Sequence, residues 1–252
     1  MYGDLVSIIM PAYNCADWIA KSIDSIIAQT YQNWELVVTD DCSTDDTLSV
    51  IQQYSQSESR IRWYKLPKNS GAAAARNKSV DEANGVYLAF LDSDDLWRPE
   101  KLEKQIRFMD DKNYDFTCTD YGKVDEQDNI KDIVIACEKK YDYNLLLKRC
   151  PGNSTIIYNC RSLGKFHAAD IKRRNDFVMW LSVIKKAKYV YGLNETLGYH
   201  RLREGSISFK KSDLLKYQWI VYRKIEHLGL LKSAYLVAYK ITETIAQSIS
   251  MK

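Results

Sequence analysis

The chain has 252 residues, 46% hydrophobic and 27% charged, an ordinary balance for a globular protein with ample material for one large α/β domain or two small ones. A net charge of only +3 argues against a polyanion binder, so no nucleic-acid partner is expected. No stretch reaches the roughly 18 to 20 apolar residues that cross a bilayer, and no basic stretch precedes the short apolar run at the start, so the expected location is the cytoplasm. Cys15, Cys42, Cys118, Cys137, Cys150 and Cys160 form no C-x-x-C pair and match no His spacing, which argues against zinc and for free buried thiols.

Leu5–Met10 reads as a buried strand stopped by Pro11, with Ala12, Tyr13 and Asn14 in the loop at its end. Asn14 or Asp17 can cap the next helix, in which Trp18, Ile19, Ile23, Ile26 and Ile27 recur at helical spacing. Trp34–Val38 is a second strand. It ends in Thr39-Asp40-Asp41-Cys42-Ser43-Thr44-Asp45-Asp46-Thr47, an acidic, hydroxyl-rich turn that holds N-caps for a helix over Leu48–Tyr54. Ile61–Leu66 is a third strand, Lys68–Gly71 is turn chemistry, and a helix runs from Ala72 to about Asn84 before Gly85 breaks it. The apolar run Val86–Leu91 is a strand buried on both faces. This alternation of strand and helix is the pattern of a doubly wound, mostly parallel sheet.

Asp92, Asp94 and Asp95 follow at once. Right-handed crossovers bring the strand ends Pro11–Tyr13, Asp40–Asp41 and Asp92–Asp95 to one sheet edge, where open α/β sheets bind ligands. An Asp-x-Asp pair of hard oxygen ligands suits a divalent cation, and so much negative charge at one strand end repels itself unless neutralised. The alternative is that Asp94 or Asp95 caps the next helix, which Pro99 and Glu100 announce. A cap uses one carboxylate and leaves the others unexplained. Neither G-x-G-x-x-G nor G-x-x-x-x-G-K-[ST] occurs, which counts against a dinucleotide dehydrogenase or a P-loop enzyme.

Further on, Glu100–Met109 is a helix and Tyr114–Tyr121 a strand with Asp120 at its end. Val124–Cys137 is a hairpin or loop excursion around Asp128-Asn129, Tyr141–Lys148 a short helix, and Cys150–Thr155 a loop leading to a strand over Ile156–Tyr158. Asp176 precedes an apolar helical run, where a lone Asp ordinarily caps. Tyr189–Leu193 is a further strand, followed by a loop over Gly198–Ser208.

The chain resembles the inverting glycosyltransferases of family two over residues 5 to about 208. The resemblance rests on Val6–Asn14, Val38–Thr47, Asn69–Asn77 and Phe90–Trp97, four blocks in the right order and spacing. It implies a GT-A fold, with a doubly wound, mostly parallel central sheet and helices on both faces. The implied domain spans 1–210, with a donor half of about 1–98 and an acceptor half of about 99–210, followed by a C-terminal helical extension over 211–252. A nucleotide-diphosphate sugar, here a UDP-sugar, is the implied donor, and Mn²⁺ or Mg²⁺ the implied cofactor, held by Asp94 with Asp92 assisting. Asp40 would accept from the uracil, Pro11, Ala12 and Tyr13 would line the nucleotide pocket with Ser93, and Arg76 would sit by the base or phosphates.

The same resemblance makes Asp176 the general base and sets Arg201 and Arg203 over the diphosphate. The chain departs from the family in three places: Cys42 stands for the Gly of an Asp-Asp-Gly-Ser turn, Asn175 for the first of two acids, and Arg203 for a frequent His. The implied acceptor is a glycan or an undecaprenyl-diphosphate-linked saccharide of bacterial O-antigen or capsule synthesis, joined by a β-linkage. In the C-terminal helices, Ala234, Ala238, Ile241, Ile245 and Ile249 mark one apolar stripe, and Trp219, Tyr222 and Ile225 another, among several lysines. Packing on the catalytic domain is one reading, and peripheral docking on an anionic inner leaflet the other. A sugar nucleotidyltransferase and an inactive nucleotide-binding module are the competing functions.

Overall fold

Val6–Ala12 (β1) and Trp34–Asp40 (β2) are buried at every position, as strands covered by helices on both faces must be. The computed structural model describes residues 3–203 and 211–250, and only the helical backbone of 211–214 and 244–250. The first half alternates β1, α1 (Ala16–Ile27), β2, α2 (Thr47–Ser57), β3 (Ile61–Lys65), α3 (Ala72–Glu82) and β4 (Tyr87–Phe90). After β5 (Leu96–Trp97) come α4 (Lys101–Lys112), β6 (Phe116–Val124), β7 (Ile130–Ile135), β8 (Lys140–Tyr141) and α5 (Tyr143–Lys148). Then follow β9 (Ile157–Asn159), α6 (Cys160–Leu163), α7 (Asn175–Ala187), β10 (Val190–Arg201), α8 (Lys211–Ile220) and α9 (Leu230–Ser250).

The sheet order is β3-β2-β1-β4-β9-β6-β10-β5, with β7 on β6 and β8 on β10. The pairs β1–β2, β1–β4, β2–β3 and β6–β10 are parallel, and β9 runs antiparallel between β4 and β6. The β1–β2 register sets Ala12 opposite Asp40, so both strands finish side by side, and the chain leaves β4 on the same edge. Ile19, Ile23 and Ile26 of α1 and Leu102, Ile106 and Met109 of α4 build one buried cluster. A second cluster joins α3, α5 and α7 to the sheet, with Trp180 edge-on to Phe90 at 4.7 Å.

Several local expectations change. Neither Asn14 nor Asp17 caps α1: its N-cap is Cys15, whose N–H donates to Thr47 Oγ1 at 2.8 Å, while Ala16 N–H donates to Asp45 Oδ2 at 3.2 Å. The β2–α2 turn thus serves the start of α1 across the edge. Asp94 and Asp95 cap nothing, because Leu96–Trp97 pairs antiparallel with Gly198–Tyr199 and α4 begins only after Glu100. Asp120 lies inside β6 rather than at its end, accepting from Cys137 N–H at 2.7 Å. The Gly198–Ser208 loop is strand through Arg201, and its part from 204 onward lies outside the described residues.

The C-terminal helices pack on α5 and α7. Tyr222 is buried and donates to Leu147 O at 2.6 Å, and Tyr143 bonds Glu226. In α9 the buried face runs through Ser233 and Leu236, whereas Ala234, Ala238 and Ile241 of the expected stripe face solvent. The side chains of Ile245 and Ile249 are outside the described residues. Among the described residues no helix is long and apolar enough to cross a membrane.

Candidate active site

At the β1–β2 edge, short loops lock to one another through backbone groups. Pro11 and Ala12 are buried and Tyr13 is exposed beside them. Asn14 takes φ 44°, its N–H donating to Ser43 Oγ at 3.0 Å and its Oδ1 accepting from Thr44 N–H at 2.9 Å. Asp40 is fully buried and accepts from Ser43 N–H. Asp41 accepts from the N–H groups of Ser70 and Gly71, each at 2.7 Å, where α3 begins. Burial raises the Asp41 carboxyl despite those two bonds. Cys42 sits at φ 61°, the left-handed conformation that its Gly counterpart would adopt freely.

The chain leaving β4 supplies the acidic centre. Asp92 accepts from Arg76 Nη2 at 3.1 Å and Asn153 Nδ2 at 2.9 Å, and its backbone N–H donates to Ser154 Oγ. Asp95 is buried, accepting from Ser154 Oγ at 2.6 Å and Arg201 N–H at 3.0 Å, with His200 Nε2 at 3.4 Å. Asp94 pairs with Arg203 Nε at 2.6 Å, and that guanidinium also lies over the Trp18 ring. Burial raises all three carboxyls, with mutual repulsion adding to it, and Asp95 reaches about 7. Burial, with Lys123 adding to it, lowers His200 to about 4, so this imidazole is neutral at pH 7.

This surplus of negative charge fits a divalent cation. Among the described residues no three His, Cys, Asp or Glu side chains form a metal-holding group. The described residues therefore offer such an ion two carboxylates at most, with Asp92 and Asp94 the candidates, the pattern of a Mg²⁺-like ion that takes its other ligands from substrate phosphates and water.

Asp176 enters from α7. Its helix starts after Arg174, which stands in the left-handed region at φ 63°, so Asp176 occupies the first turn and is not the cap. Arg76 spans the gap between the two acidic sites, Nη1 donating to Asn175 Oδ1 at 2.7 Å and Nη2 to Asp92. The residue standing for an acid thus accepts a bond from the arginine that holds Asp92. The Asp176 charge reaches Asp92, His200 and Cys150 and pulls all three upward, although burial leaves His200 lowered on balance.

The structure brings Arg76, Asp92, Ser93, Asp94, Arg201 and Arg203 together. Ser93 is buried, its carbonyl accepting from Ser22 Oγ. The Arg201 side chain is enclosed, donating to Asp94 O and Asp125 O at 2.8 and 2.7 Å and pairing with Asp128, so it braces the acidic loop against the β6–β7 turn. Sequence reasoning missed Asn153, Ser154 and His200. Ser and Asn in a Pro-Gly-Asn-Ser-Thr stretch carry a turn signal that gives no hint of their partners. Gly152 is the one clue in retrospect: a Cβ there would lie 2.7 Å from His200 Cε1, so only glycine lets this loop lie on the histidine.

A mixed sheet with an acidic edge, helices on both faces and an opposing carboxylate on α7 defines a GT-A sugar-transfer scaffold. Two solved structures share it: TarS 1-349 of S. aureus in complex with UDP-GlcNAc, at TM-score 0.70 and 20% identity over 92% of this chain and 70% of that one, and the mannosyltransferase PcManGT of Pyrobaculum calidifontis in complex with GDP-Man and Mn2+, at TM-score 0.68 and 17% identity over 93% and 68%. The family model for glycosyl transferase family 2 matches residues 7–170, and the chain belongs to that family. It is 40% identical over 92% of each chain to TuaG of Bacillus subtilis (strain 168), a glycosyltransferase assigned provisionally to teichuronic acid biosynthesis. It is 37% identical, over 93% of this chain and 92% of the relative, to the Escherichia coli UDP-Glc:alpha-D-GlcNAc-diphosphoundecaprenol beta-1,3-glucosyltransferase WfgD.

Proposed function

We propose that this glycosyltransferase moves a hexose or N-acetylhexosamine from a UDP-sugar to a hydroxyl of an undecaprenyl-diphosphate-linked saccharide, with inversion, in bacterial surface-polysaccharide assembly. The observation that carries the reading is the Arg76 bridge, which sets Asp176 across from Asp92. Asp176 takes the acceptor proton as the hydroxyl oxygen bonds the anomeric carbon and the bond to the diphosphate breaks. One base and one displacement turn an α-linked donor into a β-linkage. Pro11, Ala12, Tyr13 and Asp40 take the nucleoside, and Ser93 lines the same pocket. Asp94 and Asp92 hold Mn²⁺ or Mg²⁺, which when bound offsets charge on the leaving diphosphate. Arg203 adds positive charge beside Asp94, and Arg201 holds the backbone of that loop.

A lipid-linked acceptor brings the chain to a membrane surface. Leu230, Leu231 and Tyr235 are exposed along α9, Leu231 at 87%, with Lys232 beside them in the same helix, which supports docking on an anionic inner leaflet.

Thermal unfolding with UDP, GDP, dTDP or CDP, each with Mn²⁺ and with EDTA, tests the donor assignment. UDP with Mn²⁺ at about a hundred times its Kd should add about 2.7 kcal/mol, and Asp94→Asn should abolish that shift. An equal shift in EDTA would sink the metal assignment, and no shift with any nucleotide would sink the donor assignment and the nucleotide-binding reading with it.

A further inference from the structure

Where α7 meets the C-terminal helices, a cavity of about 40 Å³ is lined by Leu147, Cys150, Arg174, Phe177, Gln218 and Lys240. At ~10–15 Å³ per water it holds about three waters, roughly the room of one phosphate group. Two of its polar side chains, Gln218 and Arg174, carry buried atoms without a partner among the described residues. Gln218 is 2% exposed, yet neither its Oε1 nor its Nε2 has a hydrogen-bond partner among the described residues, and Arg174 Nε is buried without one as well. The Gln218 amide lies close enough to the Tyr222 hydroxyl to be felt there but outside hydrogen-bond geometry, and that hydroxyl donates to Leu147 O. An unpaired buried amide is costly, and a Leu of similar size would avoid that cost.

Among the described residues that line the cavity, Arg174 and Lys240 are cations and none is acidic, although Glu243 pairs with Lys240 at 2.8 Å from outside the lining. Arg174 and Lys240 both pull the Cys150 thiol down, against burial and the nearby Asp176, which leave it at about 12. Arg174 lies two residues before Asp176, and Phe177 is the next residue after it. The cavity is thus built onto the N-terminal turn of the helix that carries the candidate base.

We propose that Arg174, Gln218 and Lys240 form a subsite for an anionic group carried by the acceptor, a phosphate of its diphosphate or a sugar carboxylate, which holds the acceptor hydroxyl toward Asp176. This rests on the glycosyltransferase reading and adds the feature of the acceptor that is recognised. It gives the C-terminal helices a part in the site, because Gln218 and Lys240 come from α8 and α9. Arg174 makes the charge-assisted contact and Gln218 donates through Nε2.

The test is direct calorimetric binding to the full chain, with and without UDP and Mn²⁺, of four probes: a short-chain alkyl N-acetylglucosaminyl diphosphate, the matching neutral alkyl glycoside, an alkyl glucuronide and inorganic pyrophosphate. The diphosphate glycolipid should bind about tenfold or more tighter than the neutral glycoside, and Arg174→Gln should remove that margin. Gln218→Leu should weaken the same probe several-fold while the melting temperature holds or rises, a combination that a purely structural glutamine would not produce. The same margin carried by the glucuronide alone would identify the anion as a carboxylate and keep the subsite. Equal binding of every probe to wild type, Arg174→Gln and Gln218→Leu would overturn the proposal and leave a water-filled cavity. Pyrophosphate binding as tightly as the glycolipid, with the same dependence on Arg174, would overturn the link to the acceptor. Loss of the UDP response with the Arg174-dependent margin intact would sink the donor assignment alone.

Discussion

The carboxylates of the β1–β2 edge and those that follow β4 answer the same electrostatic problem in opposite ways. Asp40 and Asp41 take their hydrogen bonds from backbone N–H groups 3 and about 30 residues away. Asp92 and Asp95 depend on side chains and backbone from far along the chain: Asn153 is 61 residues from Asp92, Ser154 is 59 from Asp95, and Arg201 is 106 from Asp95. Arg76 reaches Asn175 over 99 residues. Backbone from the first 71 residues binds the first pair, whereas the second group, though Arg76 is only 16 residues from Asp92, is complete only once both halves of the sheet have closed. Labour is divided: the β1–β2 edge can be rigid from its own loops, while the Asp92–Asp95 cluster is held by the union of both halves of the sheet.

The largest effect expected from breaking this arrangement is on turnover. Asp176→Asn keeps the shape and the Arg76–Asn175 bond but cannot take a proton, so turnover should fall by about 10²–10⁴ with UDP binding retained. Initial rates beside UDP calorimetry check this, and weakened UDP binding with intact turnover would move Asp176 to the donor side. Arg76→Leu should come next, because it leaves Asp92 and Asn175 without their shared donor. The expected loss is about 2–3 kcal/mol in urea unfolding, below the ~3–5 of a fully buried pair because Asp92 keeps solvent access. A loss confined to turnover would mean that the bridge positions without stabilising.

The pH dependence sharpens the contrast. Asp95 is raised to about 7 by burial and Asp92, from an ordinary value near 3.8. Between those values the folded chain keeps a proton that the unfolded chain has lost, so this group makes stability fall as pH rises from about 4 to about 7. His200, lowered to about 4, acts in the other direction, since only the unfolded chain is protonated between there and 6.5. Asp95→Asn removes the falling contribution, so its stability near pH 7 relative to pH 5 should exceed that of wild type. Parallel pH profiles would place the Asp95 titration elsewhere. The smallest change belongs to the local edge. Cys42→Gly relieves a left-handed conformation costing ~1–2 kcal/mol and adds ~0.5–1 of unfolded-chain entropy, a net gain of about 0.5–1 kcal/mol in thermal unfolding.

The strands β1 to β4, the helices between them and the common edge of their C-terminal ends were legible because apolar runs and turn residues are local signals. The Asp-x-Asp stretch announced itself by charge density, and its neighbours along the edge followed from handedness alone. Asn153, Ser154 and His200 stayed hidden, since nothing in a Ser or His reveals a partner 59 or 105 residues away. The face of α9 was hidden for another reason. Leu230, Leu231, Ala234, Tyr235, Leu236, Val237, Ala238 and Ile241 make the helix apolar nearly all round, so periodicity picked the stripe that the fold leaves exposed. Docking against α5, where Lys232 meets Asn144 and Arg149 meets Tyr239 and Glu243, selected Ser233 and Leu236 for burial. Sequence alone fixed strands β1 to β4, the acidic edge and the family. The tertiary structure alone decided which distant side chains hold Asp92 and Asp95 and which face of α9 meets the domain, because desolvation and hydrogen-bond satisfaction are settled between elements, not within them.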